Sequence, residues 1–143
     1  MKTHKTILAL AVIIGVISGC SKKEDTTPAG TPVTAEHLTT GNWRITYFWD
    51  SDHEETTHFT AHTFTFSTNG VISATNGQST HTGTWSRGTD DSTPKLYISF
   101  ASPDKFESLS SDWKILELTG QKIRLVDISG GNGGTDYLTF EKN

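Results

Sequence analysis

The sequence predicts an all-β domain, an antiparallel meander of about eight strands closing into a barrel, with a β-sandwich as the alternative. Three observations carry this. Apolar residues recur at every second position, as in Gly41-Asn42-Trp43-Arg44-Ile45-Thr46-Tyr47-Phe48-Trp49 and Leu96-Tyr97-Ile98-Ser99-Phe100, and that period lines one face of a strand. Asn69-Gly70 and Asn76-Gly77 place tight turns between such runs, because Asn-Gly favours the left-handed backbone of two-residue hairpins. Hydrophobic residues make up only 33% of the chain, so a core must come from alternating strands rather than continuous apolar runs.

Residues 1–19 stand apart from the fold. Lys2, His4 and Lys5 precede an apolar run from Ile7 to Ile17, a secretory pattern too short for a membrane span of roughly 20 residues. The segment Ile17-Ser18-Gly19-Cys20 resembles the lipobox of bacterial lipoproteins. That resemblance implies cleavage before Cys20, a diacylglycerol on its thiol and acylation of the new amine. An ordinary secretory signal with an incidental cysteine is the alternative. Cys20 is the only cysteine of the chain, so no intrachain disulfide explains it, and several acyl chains anchor a protein stably where one does not. Removing Lys2 and Lys5 leaves 10 basic against 16 acidic residues, a formal net of −6. An acidic chain is a poor partner for nucleic acid or anionic lipid.

Residues 20–33, rich in Thr, Pro and charge, predict a flexible tether. Lys23-Glu24-Asp25 resembles the signal that sends some Gram-negative lipoproteins to the outer face of the outer membrane, and a solvated charged linker is its plain alternative. The expected location is therefore the cell envelope, as an outer-membrane lipoprotein with surface display as one possibility.

The domain, residues 34–143, reads in order as follows. Thr34 to Leu38 predicts a helical turn with Thr34 as N-cap, ended by Gly41. The first strand then places Trp43, Ile45, Tyr47 and Trp49 on one face. Asp50 to Ala61 reads as a short helix or loop, since Phe59 and Ala61 differ in parity from Phe64 and Phe66. Strands follow at His62–Ser67, Val71–Thr75 and Ser79–Ser86, the last with His81, Gly83 and Trp85 on one face and Gly83 as a bend. Arg87 to Pro94 reads as a polar loop. A strand at Lys95–Ala101 is followed by a helical turn at Pro103–Leu109. Asp112–Leu118 and Lys122–Ile128 form a hairpin in which each strand changes face midway, a sign of bulges or two-sided burial. Thr135–Glu141 is the last strand, with Leu138 and Phe140 inward.

Gly41-Asn42-Trp43 after a helical turn resembles the G-x-W motif of lipocalins, and Thr135-Asp136-Tyr137 matches their T-D-Y triplet, here before the final strand. The arginine that packs on the motif tryptophan in lipocalins is absent from its place, and Arg124 is the nearest candidate. Nearly the whole domain resembles small lipoproteins with a lipocalin-like domain: the F-x-F strand with its Asn-Gly turn (Phe64 to Gly70), Thr82-Gly83-Thr84-Trp85, and Tyr137-Leu138-Thr139-Phe140-Glu141-Lys142. The resemblance implies a calycin-like barrel and, loosely, a binding role.

Chemical motifs are sparse. His53, His58 and His62, near Asp50 and Asp52, suggest a metal site, but residues four apart on a strand lie roughly 13 Å apart, so solvated loop histidines are the preferred reading. Gly130-Gly131-Asn132-Gly133-Gly134-Thr135-Asp136 is similar to a calcium-binding nonapeptide in a single, shifted copy, and a hairpin loop is preferred. No nucleophile elbow or P-loop occurs, so no enzyme, cofactor or metal is expected. Two functions remain. One is a lipid-anchored module that binds a small apolar ligand through the inward rings Tyr47, Phe64, Phe66, Trp85, Phe100 and Trp113. The other is a filled barrel that binds an envelope protein through its surface.

Overall fold

The computed structural model describes residues 34–128 and 134–143, so the signal segment, Cys20, residues 20–33 and most of the glycine-rich stretch 129–134 lie outside the described residues. Among the described residues nine strands form one antiparallel sheet: β1 (Trp43–Asp50), β2 (His53–Glu54), β3 (Thr63–Phe66), β4 (Val71–Thr75), β5 (Thr80–Asp90), β6 (Thr93–Phe100), β7 (Ser111–Leu118), β8 (Lys122–Ile128) and β9 (Thr135–Lys142). Each strand from β3 to β9 pairs with the next, and β9 returns to pair with β1 from Trp43↔Lys142 to Trp49↔Tyr137. β1 meets β3 at Trp43↔Phe64. The result is a closed eight-stranded antiparallel barrel, with β2 a short flap on the end of β1. Closure leaves few free edges for a second chain to extend.

Because a meander alternates direction, its connections fall at two ends. A five-residue helix, α1 (Ala35–Thr39), and the turns at Thr68–Gly70, Asp91–Ser92 and Thr119–Gln121 gather at one end. At the other are a 3₁₀ turn, η1 (Thr56–Phe59), and a one-turn helix, α2 (Asp104–Glu107). Each end is stoppered by apolar side chains: Leu38 from α1, and Phe59, Phe106 and Leu109 from η1, α2 and the residues after it, all fully buried. Thr34 holds the extended N-cap backbone expected of it, although its hydroxyl makes no capping bond.

The first strand departs from simple alternation. Ile45 pairs with Phe140 and Tyr47 with Thr139, so Thr46 is an extra residue on β1. This bulge switches the inward parity: Trp43, Ile45 and Phe48 are buried, while Tyr47 is 38% exposed. Tyr47 and Trp49 therefore do not share a face with Trp43, because one inserted residue flips everything after it. A second bulge sits on β7, where Ile115 pairs with Leu125 and Glu117 with Arg124, ejecting Leu116. The expected face change is thus real on β7, whereas β8 keeps a regular register but is buried on both sides at one point, with Ile123 and Leu125 inward, Val126 buried on the opposite face and Ile128 exposed.

One other expectation changes, and two are refined. Arg87 to Pro94 is not a loop: β5 and β6 continue to Asp90↔Thr93 around a two-residue turn, Asp91-Ser92, with φ of 44° and 64°. Both residues take the left-handed conformation that such hairpins require, without the usual Asn-Gly. The Asp50–Ala61 segment splits into β2 and η1, and η1 resolves the parity conflict, since Phe59 reaches the core from a 3₁₀ turn and not from the strand of Phe64 and Phe66. Gly83, which pairs with both Ile72 of β4 and Phe100 of β6, allows a close approach, for a Cβ there would lie 2.2 Å from the Ser99 carbonyl oxygen and 2.9 Å from the Phe100 ring.

Candidate functional site

Five of the six rings expected to line a cavity lie together inside the barrel, and they pack on each other. Phe64 and Phe66 flank Phe140 with centroids 5.4 and 5.6 Å apart, Phe66 meets Trp85 at 5.5 Å, and Phe100 meets Phe106 at 5.4 Å. These are edge-to-face and tilted contacts of the kind aromatic quadrupoles favour. Trp113 is buried in the same cluster. Each inward tryptophan also satisfies its indole N–H, as a buried donor must. Trp43 donates to the Leu38 carbonyl, Trp85 to that of Ser67 and Trp113 to that of Leu109, each at 2.9 Å. The three bonds fasten α1, the β3–β4 turn and the segment after α2 to the barrel wall. Side chains that lock the stoppers in this way act as core.

Tyr47 belongs elsewhere, on the outer wall of β7, β8, β9 and β1. Register aligns Trp49, Tyr137, Val126 and Lys114 in one outward row, and Tyr47, Thr139, Arg124 and Glu117 in the next. Tyr47, Tyr137 and Leu116 are 38%, 40% and 46% exposed. They line a groove of about 270 Å³ with Arg124, Lys122 and Glu141. The groove owes its shape to the two bulges, one turning Tyr47 outward and the other displacing Leu116. Paired charges bound it: Lys122–Glu141 at 2.8 Å, Arg44–Glu141 at 3.6 Å and Arg124–Glu117 at 3.9 Å. The hydrogen bond from Lys122 holds the Glu141 carboxyl below its ordinary value, aided by Arg44. Large amphipathic rings inside a rim of paired charges make a surface suited to protein contact.

The lipocalin-type motifs do structural work. Asp136 of the T-D-Y triplet accepts a 2.7 Å hydrogen bond from the Ser51 backbone N–H, holding the β1–β2 turn, where Ser51 has φ of 54°. Tyr137 faces the outer groove. The cation over the Trp43 ring is Lys142, 4.0 Å from its centre, while Arg124 pairs with Glu117 instead.

The histidines do not converge. His53 pairs with Asp52, and His58 lies 3.5 Å from Glu55. His62 is buried, not solvated, because η1 folds it against the stopper. Among the described residues no three His, Cys, Asp or Glu side chains are placed to share a metal ion. No described helix is long and apolar enough to cross a membrane.

This architecture defines the chain as a small antiparallel β-barrel protein. No family model matches it, and no curated protein matches it. Among solved structures, the crystal structure of a DUF4847 family protein from Bacteroides vulgatus ATCC 8482 is similar, with a TM-score of 0.51 at 15% identity, covering 76% of this chain and 96% of that one. A likeness at that identity speaks to the shared fold.

Proposed function

We propose that the chain is a lipid-anchored lipoprotein of the cell envelope whose lipocalin-like barrel is a non-catalytic protein-interaction module, engaging another envelope protein through the Tyr47–Tyr137–Leu116 groove. The observation that carries this is the interior. The inward rings that a carrier would offer to an apolar ligand pack against each other and against both stoppers, while three large apolar side chains gather on the outside around one groove. The lipobox resemblance at Cys20 supports the anchor, and Lys23-Glu24-Asp25 supports display on the outer face. The reading needs no cofactor and no nucleic acid.

A photoreactive residue placed at Tyr47, compared with one at Thr84 on the far wall, tests the reading in intact cells. The expected result is a discrete protein adduct from position 47 that is absent from position 84 and lost in a Tyr137→Ser, Leu116→Ser background. A lipid that copurifies with the barrel and quenches tryptophan fluorescence on rebinding, with no adduct at position 47, would favour the apolar-carrier function instead. Cys20→Ala tests the anchor separately, and the variant is expected to leave the detergent phase.

A further inference from the structure

Among the described residues His62 is the one polar side chain buried outright, at 6% exposure. Neither of its ring nitrogens has a hydrogen-bond partner. The ring lies at the η1–α2 end, 5.2 Å from Phe106, 6.4 Å from Phe59 and 6.5 Å from His81, centre to centre. Phe106 is the hub of the stopper there, since it also contacts Phe59, Phe64, Phe100 and His81 at 4.6–6.4 Å. A neutral imidazole behaves in such a place as a flat, nearly apolar disc. A protonated one carries a charge and two N–H donors, and a buried unpaired charge is among the costliest groups a fold can hold.

The surrounding charges offer no relief. His81 faces His62 from β5 and Lys105 from α2, and both oppose a positive charge. Other titratable groups of this end include Asp104 and Glu107 on α2, Asp50, Asp52, His53 and Glu54 around the β1–β2 turn, His58 on η1 beside Glu55, and Asp112, Asp127 and Asp136 at the ends of β7, β8 and β9. None of them hydrogen-bonds to His62.

We propose that η1 and α2 form an acid-released stopper: protonation of His62 expels its ring together with Phe106 and opens the aromatic interior of the barrel at that end. Burial holds the imidazole below its ordinary value of 6.5, with Lys105 and His81 adding to the effect and the nearby backbone of Phe59 opposing it. The sign follows from that direction. Above pH 6.5 neither the closed nor the open state binds the proton. As pH falls below 6.5 the open state takes it up first, so opening is favoured by up to about tenfold per pH unit until the depressed value in the closed state is reached.

Hydrogen–deuterium exchange on the full-length lipoprotein in detergent micelles tests this, with rates corrected for the intrinsic pH dependence of exchange. The expected result is that protection of residues 56–62 and 103–109 falls from pH 7.5 to 5, by at most about tenfold per pH unit below 6.5, while the β7–β8 hairpin keeps its protection. His62→Phe retains an aromatic disc with nothing to titrate and should make the stopper's protection independent of pH. Persistence of the fall in His62→Phe would assign it to another group and overturn the proposal. Should that variant not fold, the ring-proton shifts of His62 in the wild type decide. A midpoint below 6.5 that coincides with opening sustains the proposal, and a midpoint at or above 6.5 ends it.

Discussion

The ammonium of Lys142 rests 4.0 Å from the centre of the Trp43 ring, so the final residue of β9 covers the first residue of β1. The same ring is fully buried, lies edge-to-face with Phe66 at 6.5 Å and ties α1 through its indole N–H. Trp43→Ala should therefore cost about 3–5 kcal/mol in a denaturant titration, the range for a lost core tryptophan. Lys142→Met should change stability by less than about 1 kcal/mol, because the cation–π attraction is offset by the burial that lowers the ammonium's pKa.

The bulge at Thr46 makes two adjacent aromatics unequal. Phe48→Ala should cost about 3–5 kcal/mol, whereas Tyr47→Ala should fall within about 1 kcal/mol of wild type, as surface substitutions do. Equal losses in chemical denaturation would mean that the bulge is misplaced.

At Gly83 a methyl group meets backbone before anything flexible can yield, since the nearest atom is the Ser99 carbonyl oxygen. Gly83→Ala should lower stability by about 1–3 kcal/mol, the usual cost of overpacking. Thermal unfolding followed by circular dichroism would show it.

The Asp91-Ser92 turn invites the opposite experiment. Both residues have positive φ, a conformation costing side chains roughly 1–2 kcal/mol each. Replacing the pair by Asn-Gly should raise stability by up to about 1 kcal/mol, measurable as an increased melting temperature with an unchanged fold.

Acid should weaken the fold in two separate windows. His62 is held below 6.5, so its contribution is complete above pH 6.5 and declines as pH falls from there. Glu141 is held below 4.5, chiefly by the Lys122 hydrogen bond, so its contribution is present above pH 4.5 and is lost as pH falls through the depressed value. In an acid titration of stability, His62→Phe should remove the first decline and Lys122→Met should shrink the second.

Much of the barrel was legible because period and turn chemistry agreed. β3, β4, β6, β8 and β9 lie where alternation placed them, within a residue or two, and Phe64, Phe66, Trp85, Phe100 and Trp113 all point inward. The outer groove was only half legible: the face change along Asp112–Leu118 signalled the bulge at Leu116, but nothing announced the one at Thr46, an ordinary residue with no glycine or proline beside it. Once Thr46 is counted as extra, Tyr47 leaves the core and joins Tyr137. His62 was misread for a related reason. It follows a polar stretch, and only the 3₁₀ turn that carries Phe59 inward brings the histidine with it. The β5–β6 turn escaped notice because Asp-Ser adopts there a backbone usually marked by Asn-Gly.

The pairing of β1 with β9 also sets the order of events during synthesis. β1 is held by β3 at a single position, Trp43↔Phe64, and along most of its length by β9. β1 thus waits for β9, and the nascent chain must keep Ile45 and Phe48 without their strand partners, Phe140 and Leu138, until β9 emerges from the ribosome. Closing so long a loop is slow compared with forming local hairpins. The barrel is therefore expected to close only once β9 has been made, after the local hairpins from β3 to β8 have formed.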